Sequence, residues 1–322
     1  MLLKRSILLL GMIAFATGLF AQTLADAGEK YNAGNEQYKA KAYASAVKLY
    51  EEALDMCKNL GGSAADLQSN VEKQLLNAYF KNGLYNYKKK QFDAAIDQLT
   101  KMRNLAKELN NSKMEQKAVT YIARVYSTKG NVLVKKKDFK GAFGQYNKAL
   151  EVKPNCMNAY LGFTYAYKEQ GDMANMMKSA DKVIELGKAN NSSAAAKKVA
   201  KAKKIAYVAL KANGAEELKK EHAAKALEYL SEVSKYGKAD ADTYHYLAIA
   251  QMKLKKWSDA VASANKALEL QTGDKSDIYF TLGQAYQGKG DNAQACASFK
   301  KVTAGPNVEA AKYQIEQVLK CK

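Results

Sequence analysis

Side chains able to perform acid–base, nucleophilic or metal chemistry are few in this chain. Histidine occurs twice, at His222 and His245, and neither has a cysteine or carboxylate spaced to arm a nucleophile or complete a zinc site. Cys57, Cys156, Cys296 and Cys321 are widely separated and form no CxxC. Glycines fall singly, or as a pair in a loop, so no Gly-rich turn is available to cradle a phosphate. The recurrent "EE" and "KK" pairs read as solvated helix faces. These residues predict no catalytic centre, no metal, no cofactor and no small-molecule substrate.

Charge gives a second bound. The chain carries a formal +19, with 51 Lys+Arg against 32 Asp+Glu. Beyond Arg5 only Arg103 and Arg124 are arginines, so lysine supplies the excess. Arginine is the side chain that grips phosphates and bases through two parallel hydrogen bonds, and its scarcity disfavours nucleic acid. Met1–Ala21 joins Lys4 and Arg5 to an apolar run, Ile7 to Phe20, followed by Ala21-Gln22. That pattern reads as a bacterial-type secretory signal cleaved near Ala21, with a retained N-terminal anchor as the alternative. No cysteine follows the run, which argues against lipid anchoring. The expected product is exported, periplasmic or secreted, soluble, and carries +17 once Lys4 and Arg5 are lost. Its cysteines would meet an oxidising compartment and could pair.

The elements that must position these side chains are helical. Only Pro154 and Pro306 interrupt a sequence rich in alanine and lysine, and apolar residues recur at three- and four-residue spacing. One stretch, "DFKGAFGQYNKALEVKPN" from Asp138 to Asn155, orders Phe139, Ala142, Tyr146 and Ala149 before Pro154. Related orders run through the chain: Gly34, Tyr43, Ala46, Tyr50 and Ala53; then Gly83, Phe92, Ala95 and Leu99. After the third unit come Tyr160, Gly171, Asp172, Ala180 and Val183, and next Gly214, Ala226, Leu230 and Val233. The last two have Trp257, Ala260, Ala264 and Ala267, and Gly283, Tyr286, Ala295 and Phe299. Ala142 to Met176, Ala226 to Ala260 and Ala260 to Ala295 are separations of 34, 34 and 35 residues.

This pattern resembles the tetratricopeptide repeat family, whose signature is W/Y-x2-L-G-x2-Y … A-x3-F/Y-x2-A … P in a 34-residue unit. The resemblance implies an all-α fold: a right-handed superhelical solenoid of about seven helix pairs, each a helix A followed by a helix B, closed by a C-terminal capping helix at Val308–Leu319. Small residues at the eighth position of A and the twentieth of the unit are expected where the two backbones approach closely. Asp138, Asp172 and Asp291 are expected as N-caps, and Pro154 and Pro306 as stops for helix B. The expected organisation is 1–21 signal peptide, 22–190 units one to four, and 191–322 units five to seven with the cap. Surplus residues at Gly61–Leu75, Asn110–Ile122 and Asn191–Ala206 predict extended A helices in units two, three and five. Cys296, early in the seventh B helix, and Cys321, at the end of the antiparallel cap, are placed to form a disulfide.

In the family, positions on helix A line a concave groove that holds an extended peptide. Carried over, they make groove candidates of Tyr31, Asn35, Tyr38, Phe80, Leu84, Tyr87, Asn131, Leu161, Tyr165, Lys168, His245, Ile249, Met252, Phe280 and Gln284. The set is unusually apolar, which reads either as an open groove or as core of a tight superhelix. The family's carboxylate clamp is not reproduced, because Tyr31 stands where lysine is needed. The implied function is a non-catalytic scaffold binding a partner protein or peptide. The alternative is an edge of lysines at the A–B turns, with Lys88, Lys89, Lys90, Lys135, Lys136, Lys137, Lys253, Lys255 and Lys256 as candidates. Such an edge would attract an acidic protein, an anionic glycan or a membrane surface.

Overall fold

Helix pairing follows from how each A helix ends. In the computed structural model, which describes residues 23–190 and 192–322, every A–B turn contains one residue in the left-handed region. Lys41, Lys90, Lys137, Gly171, Glu221, Lys255 and Gly290 hold this place, with φ between 58° and 86°. The next residue's N–H then reaches back to a carbonyl in the last turn of A, as in Ala42 N–H to Gln37 O at 2.9 Å and Asp138 N–H to Leu133 O at 3.0 Å. This reversal satisfies carbonyls that the helix end would otherwise leave bare, and it turns the chain at once into helix B. Asp138, Asp172 and Asp291 then cap the next helix, accepting from the N–H groups of Gly141, Asn175 and Gln294.

Among the described residues the result is all-α: seven helix pairs and a C-terminal helix. The pairs are α1 (Leu24–Lys39) with α2 (Tyr43–Leu60), α3 (Ala65–Lys88) with α4 (Phe92–Glu108), and α5 (Ser112–Lys135) with α6 (Phe139–Val152). They continue as α7 (Met157–Gln170) with α8 (Met173–Lys188), α9 (Ser193–Lys219) with α10 (Ala223–Tyr236), α11 (Ala241–Lys253) with α12 (Trp257–Leu270), and α13 (Ser276–Lys289) with α14 (Asn292–Phe299). Helix α15 (Val308–Tyr313) runs on into a wider turn, Gln314–Val318. Helices α3, α5 and α9 are 24, 24 and 27 residues long, whereas α7 and α13 have 14. The secretory-signal reading of Met1–Ala21 lies outside the described residues. No described helix is long and apolar enough to cross a membrane.

Within a pair the fit is one of side-chain size. A Cβ on Gly34 would come within 2.7 Å of the Tyr50 ring, and one on Gly130 within 2.4 Å of the Tyr146 ring. Gly83 meets Leu99, Gly214 meets Leu230 and Gly283 meets Phe299 in the same way. In each case the bulky partner lies sixteen residues on, in helix B. Where helix A carries Thr164 or Ala248 instead, the residue sixteen on is alanine, Ala180 or Ala264. The glycines therefore make room for a large side chain, and at Gly83 the helix-B backbone also comes close, with Ala95 O 3.4 Å from where a Cβ would stand. Tyr50, Tyr146 and Phe299 are buried as a result, each worth about 1.5–3 kcal/mol of transfer free energy. Position-twenty alanines Ala46, Ala95, Ala142 and Ala260 are fully buried.

The chain divides between Val125 and Tyr126 into two compact units. In the first, the long α3 packs along α2 and buries Val71, Leu75 and Leu76. In the second, the extra turns of α9 lie against α7 and α8, with Ala195, Ala202 and Ala206 among Met157, Met173, Met176 and Val183. A disulfide joins Cys296 to Cys321 and fastens the chain beyond α15 to α14. Pro154 follows α6 closely, but α14 ends at Phe299, so Pro306 precedes α15 and does not terminate a B helix.

Candidate functional site

Helix A presents its outer residues differently in the two compact units. In the first unit, Tyr31 packs its ring 6.0 Å from that of Tyr50, and Asn35 accepts the Tyr50 hydroxyl at 2.7 Å. Tyr38 and Tyr87 each lean on the first aromatic of their own helix B, Tyr43 at 5.5 Å and Phe92 at 6.3 Å between ring centres. Leu84 is half-buried. Phe80 is only 8% exposed: Tyr121 on the extended α5 meets its ring edge-on at 5.0 Å and the Lys117 ammonium covers it at 3.8 Å. As a groove residue Phe80 is therefore corrected to core, because the added turns of α5 fold over it. Tyr85, absent from the sequence-derived set, is 44% exposed with the Lys89 ammonium 4.4 Å from its ring centre.

The second unit has an open aromatic. Tyr165 on α7 is 42% exposed and Lys168, one turn on, holds its ammonium 5.7 Å from the ring. Leu161 is half-buried against the Met157–Val183 cluster. Asn131 accepts the Tyr146 hydroxyl at 2.8 Å, repeating the Asn35–Tyr50 bond in the third pair. Both asparagines are thereby tied to their own helix B. Burial pushes the Tyr50 hydroxyl up to about 12, and it drives Tyr146 in the same direction, so both stay protonated donors.

Towards the C-terminus the same face becomes polar. Lys211 on α9 reaches Asp240 at 2.6 Å and Asp242 at 2.9 Å, both at the start of α11. Burial favours the neutral form of Asp240, but hydrogen bonds from Lys211 and Thr243 override it and hold the carboxyl at about 2. Asp277 accepts from Asn307 at 2.9 Å. Ile249, Met252 and Gln284 are half-buried, and Phe280 packs against Phe299 with ring centres 5.7 Å apart. Asp240 and Asp242 were missed from sequence; "ADADTY" signals a helix cap, but their lysine partner lies in another pair.

Two arrangements resemble reactive dyads and are not. His245 Nε2 lies 3.0 Å from Thr281 Oγ1, with Asp242 and Asp277 nearby. The Thr281 hydroxyl already donates its one proton to the Asp277 carbonyl at 3.1 Å, so the imidazole is the donor here. Burial lowers the His245 pKa and keeps the ring neutral. His222 Nδ1 sits 2.8 Å from the Glu217 carboxylate, with the Lys220 and Lys225 ammonium groups each 3.7 Å from it. Hydrogen bonding to His222 lowers the Glu217 pKa, and the site is an ion cluster at a turn. Cys57 and Cys156 are buried free thiols. Among the described residues no group of three or more His, Cys, Asp or Glu side chains could hold a metal ion.

Lysines crowd the A–B turns. Lys90, Lys137 and Lys255 occupy the left-handed position, with Lys88 and Lys89, Lys135 and Lys136, and Lys253 and Lys256 flanking them. In the second unit α7, α9, α11 and α13 touch in series, so the turns that follow them share one edge. Two shallow clefts open there. One, of about 620 Å³, is lined by Ala223, Ala224, Lys225, Lys253 and Leu254 among others. The other, of about 410 Å³, is lined by Lys255, Lys256, Trp257 and Lys289 among others.

The sequence model of the tetratricopeptide repeat family matches residues 123–156 and 276–304, which correspond to the α5–α6 and α13–α14 pairs and support the tetratricopeptide reading of both. Among solved structures the chain is similar to MamA, at 21% identity over 61% of this chain and 95% of that one, with a TM-score of 0.36. It is similar to the TPR2AB domain of yeast Sti1 in its complex with pHSP90, at 18% identity over 92% and 98% of the two chains and a TM-score of 0.35. It is also similar to YrrB, a TPR protein with an unusual peptide-binding site, at 18% identity over 60% and 92% and a TM-score of 0.36. No curated protein matches the sequence significantly.

Proposed function

We propose that the protein is a non-catalytic scaffold that binds a partner protein or peptide through the exposed face of its A helices. The observation that carries this reading is Tyr165, a large aromatic left 42% exposed on α7 at a position where the tetratricopeptide pattern places partner contacts. Aromatic side chains of this kind supply much of the energy of protein interfaces. The test is capture of partners from the native envelope fraction by wild-type, Tyr165→Ser and Tyr165→Phe proteins. Tyr165→Ser should lose the partner and Tyr165→Phe should keep it; equal capture by all three refutes the reading. Export is part of the proposal, with a leader removed near Ala21 and a soluble periplasmic or secreted product. N-terminal sequencing of the mature chain tests it.

A second reading places an acidic protein, an anionic glycan or lipid headgroups on the lysine edge. It is favoured by the occupation of the left-handed turn position by lysine in four of seven turns, at Lys41, Lys90, Lys137 and Lys255. Binding of that kind weakens steeply with added salt, whereas contact at Tyr165 is nearly indifferent to it.

A further inference from the structure

Glycine occupies the left-handed turn position without strain at Gly171 and Gly290. Lysine has no such freedom, and unlike asparagine it gains no local hydrogen bond there. Lys255 nevertheless adopts φ 58° in the turn between α11 and α12. The turn imposes this conformation on whatever residue stands there, and glycine would hold it without strain, so the choice of lysine at Lys255 is not explained by the fold. Lys255, Lys256 and Lys289 have no carboxylate partner among the described residues, although Glu221 holds Lys253 at 3.6 Å. The two clefts flank this turn, since Leu254 lines the first and Lys255 the second. Each cleft has apolar groups in its lining: Ala223, Ala224 and Leu254 in one, and in the other the half-buried ring of Trp257, laid against Gly288. The rims are basic.

We propose that this double cleft docks an acidic, extended segment of a partner protein that carries isolated bulky apolar residues among its carboxylates. The inference rests on the reading of the protein as a scaffold, and it assigns a second docking surface apart from Tyr165. A lipid bilayer is too flat to enter a cleft between turns, and a glycan has no bulky apolar group to set against Leu254. Nucleic acid would call for arginine, which this edge lacks. Successive helices pack about 8–10 Å apart, so two clefts accept on the order of 20 Å of chain. An extended peptide covers that in roughly six residues at about 3.3 Å each.

The probe is a labelled peptide of about eight residues, aspartate and glutamate with two leucines, bound to the full mature chain and followed by anisotropy. Wild-type protein should bind it, and affinity should drop severalfold between about 0.05 and 0.3 M salt. The combined variant Lys255→Gly, Lys256→Gln, Lys289→Gln should bind about tenfold more weakly, the loss expected when three charges facing carboxylates are removed. Its fold is safeguarded because glycine relieves the turn. Ala224→Glu, an exposed change that fills the first cleft with a negative charge, should weaken binding similarly. A leucine-free peptide should bind less well than the probe. Tyr165→Ser should leave peptide affinity unchanged, so failure at the clefts and failure at α7 are separable. Undiminished binding by the triple-lysine variant overturns the proposal. So does lysine-dependent binding of a sulfated glycan or of phosphatidylglycerol vesicles in the absence of peptide binding.

Discussion

Replacing the turn lysines with glycine should make the protein more stable, and Lys137 and Lys255 are the clearest sites. Both sit in the left-handed region, at φ 61° and 58°, between a helix A that has ended and a helix B that begins two residues later. The backbone bonds of the turn, Lys137 N–H to Val134 O at 2.8 Å and Lys255 N–H to Met252 O at 2.9 Å, are independent of the side chain. Both side chains are exposed and neither forms an ion pair among the described residues. The change therefore removes Cβ strain of about 1–2 kcal/mol. Against this stands the greater freedom of glycine in the unfolded chain, about 0.5–1 kcal/mol. The net gain is on the order of 0.5–1 kcal/mol per site, and distant sites should add. Denaturant melts report it as a higher midpoint at unchanged slope. For Lys255→Gly the fluorescence of Trp257, the single tryptophan, reports from the same turn. The converse substitution, Gly171→Lys, should lose a comparable amount. A midpoint that stays level or falls in both glycine variants would show that the lysine stems contribute packing that outweighs the strain, and the turn argument would be wrong.

Three further outcomes follow from the packing. Gly34→Ala should cost about 1–3 kcal/mol, because its methyl would strike the Tyr50 ring at 2.7 Å, and the cost should shrink in a Tyr50→Leu background; equal costs in both backgrounds would contradict the size-matching account. Reducing the Cys296–Cys321 bond, or Cys321→Ser, should release α15 and raise hydrogen exchange in α14 and α15 while leaving α7–α12 unchanged, at a stability cost of about 2–4 kcal/mol. Asp240, held at about 2 when folded against an unfolded value near 3.9, stabilises the protein above about pH 4 and loses that contribution as pH falls towards 2. Asp240→Asn keeps a capping side chain, so its stability should vary less with pH over that interval, and parallel acid titrations of the two proteins would refute the assignment.

Fold and site were legible in the sequence to different depths, for a physical reason. Pairing depends on residues a fixed distance apart, so the recurrence of Gly34 and Tyr50, and of Gly283 and Phe299, is visible in the chain before any coordinates. Their contact with each other is seen only in the structure. The caps at Asp138, Asp172 and Asp291 can also be read from the chain, because their bonds close within three residues. What was not legible depends on where a departure from the repeat comes to rest. The extra turns of α5 are visible as surplus length, but nothing local says that Tyr121 and Lys117 will cover Phe80 and take it out of the surface. Nothing local to Lys211 says that the start of α11 will bring Asp240 and Asp242 to it. The left-handed lysines were hidden for the opposite reason: propensity points to glycine, and closure of the helix pair imposes the conformation regardless. Repeats thus decide how one pair folds, while insertions and misfits decide which surfaces stay open. Tyr165, left 42% exposed on the short α7, and the Leu254–Lys255 turn after the short α11 are the surfaces on which the proposed partner contacts rest.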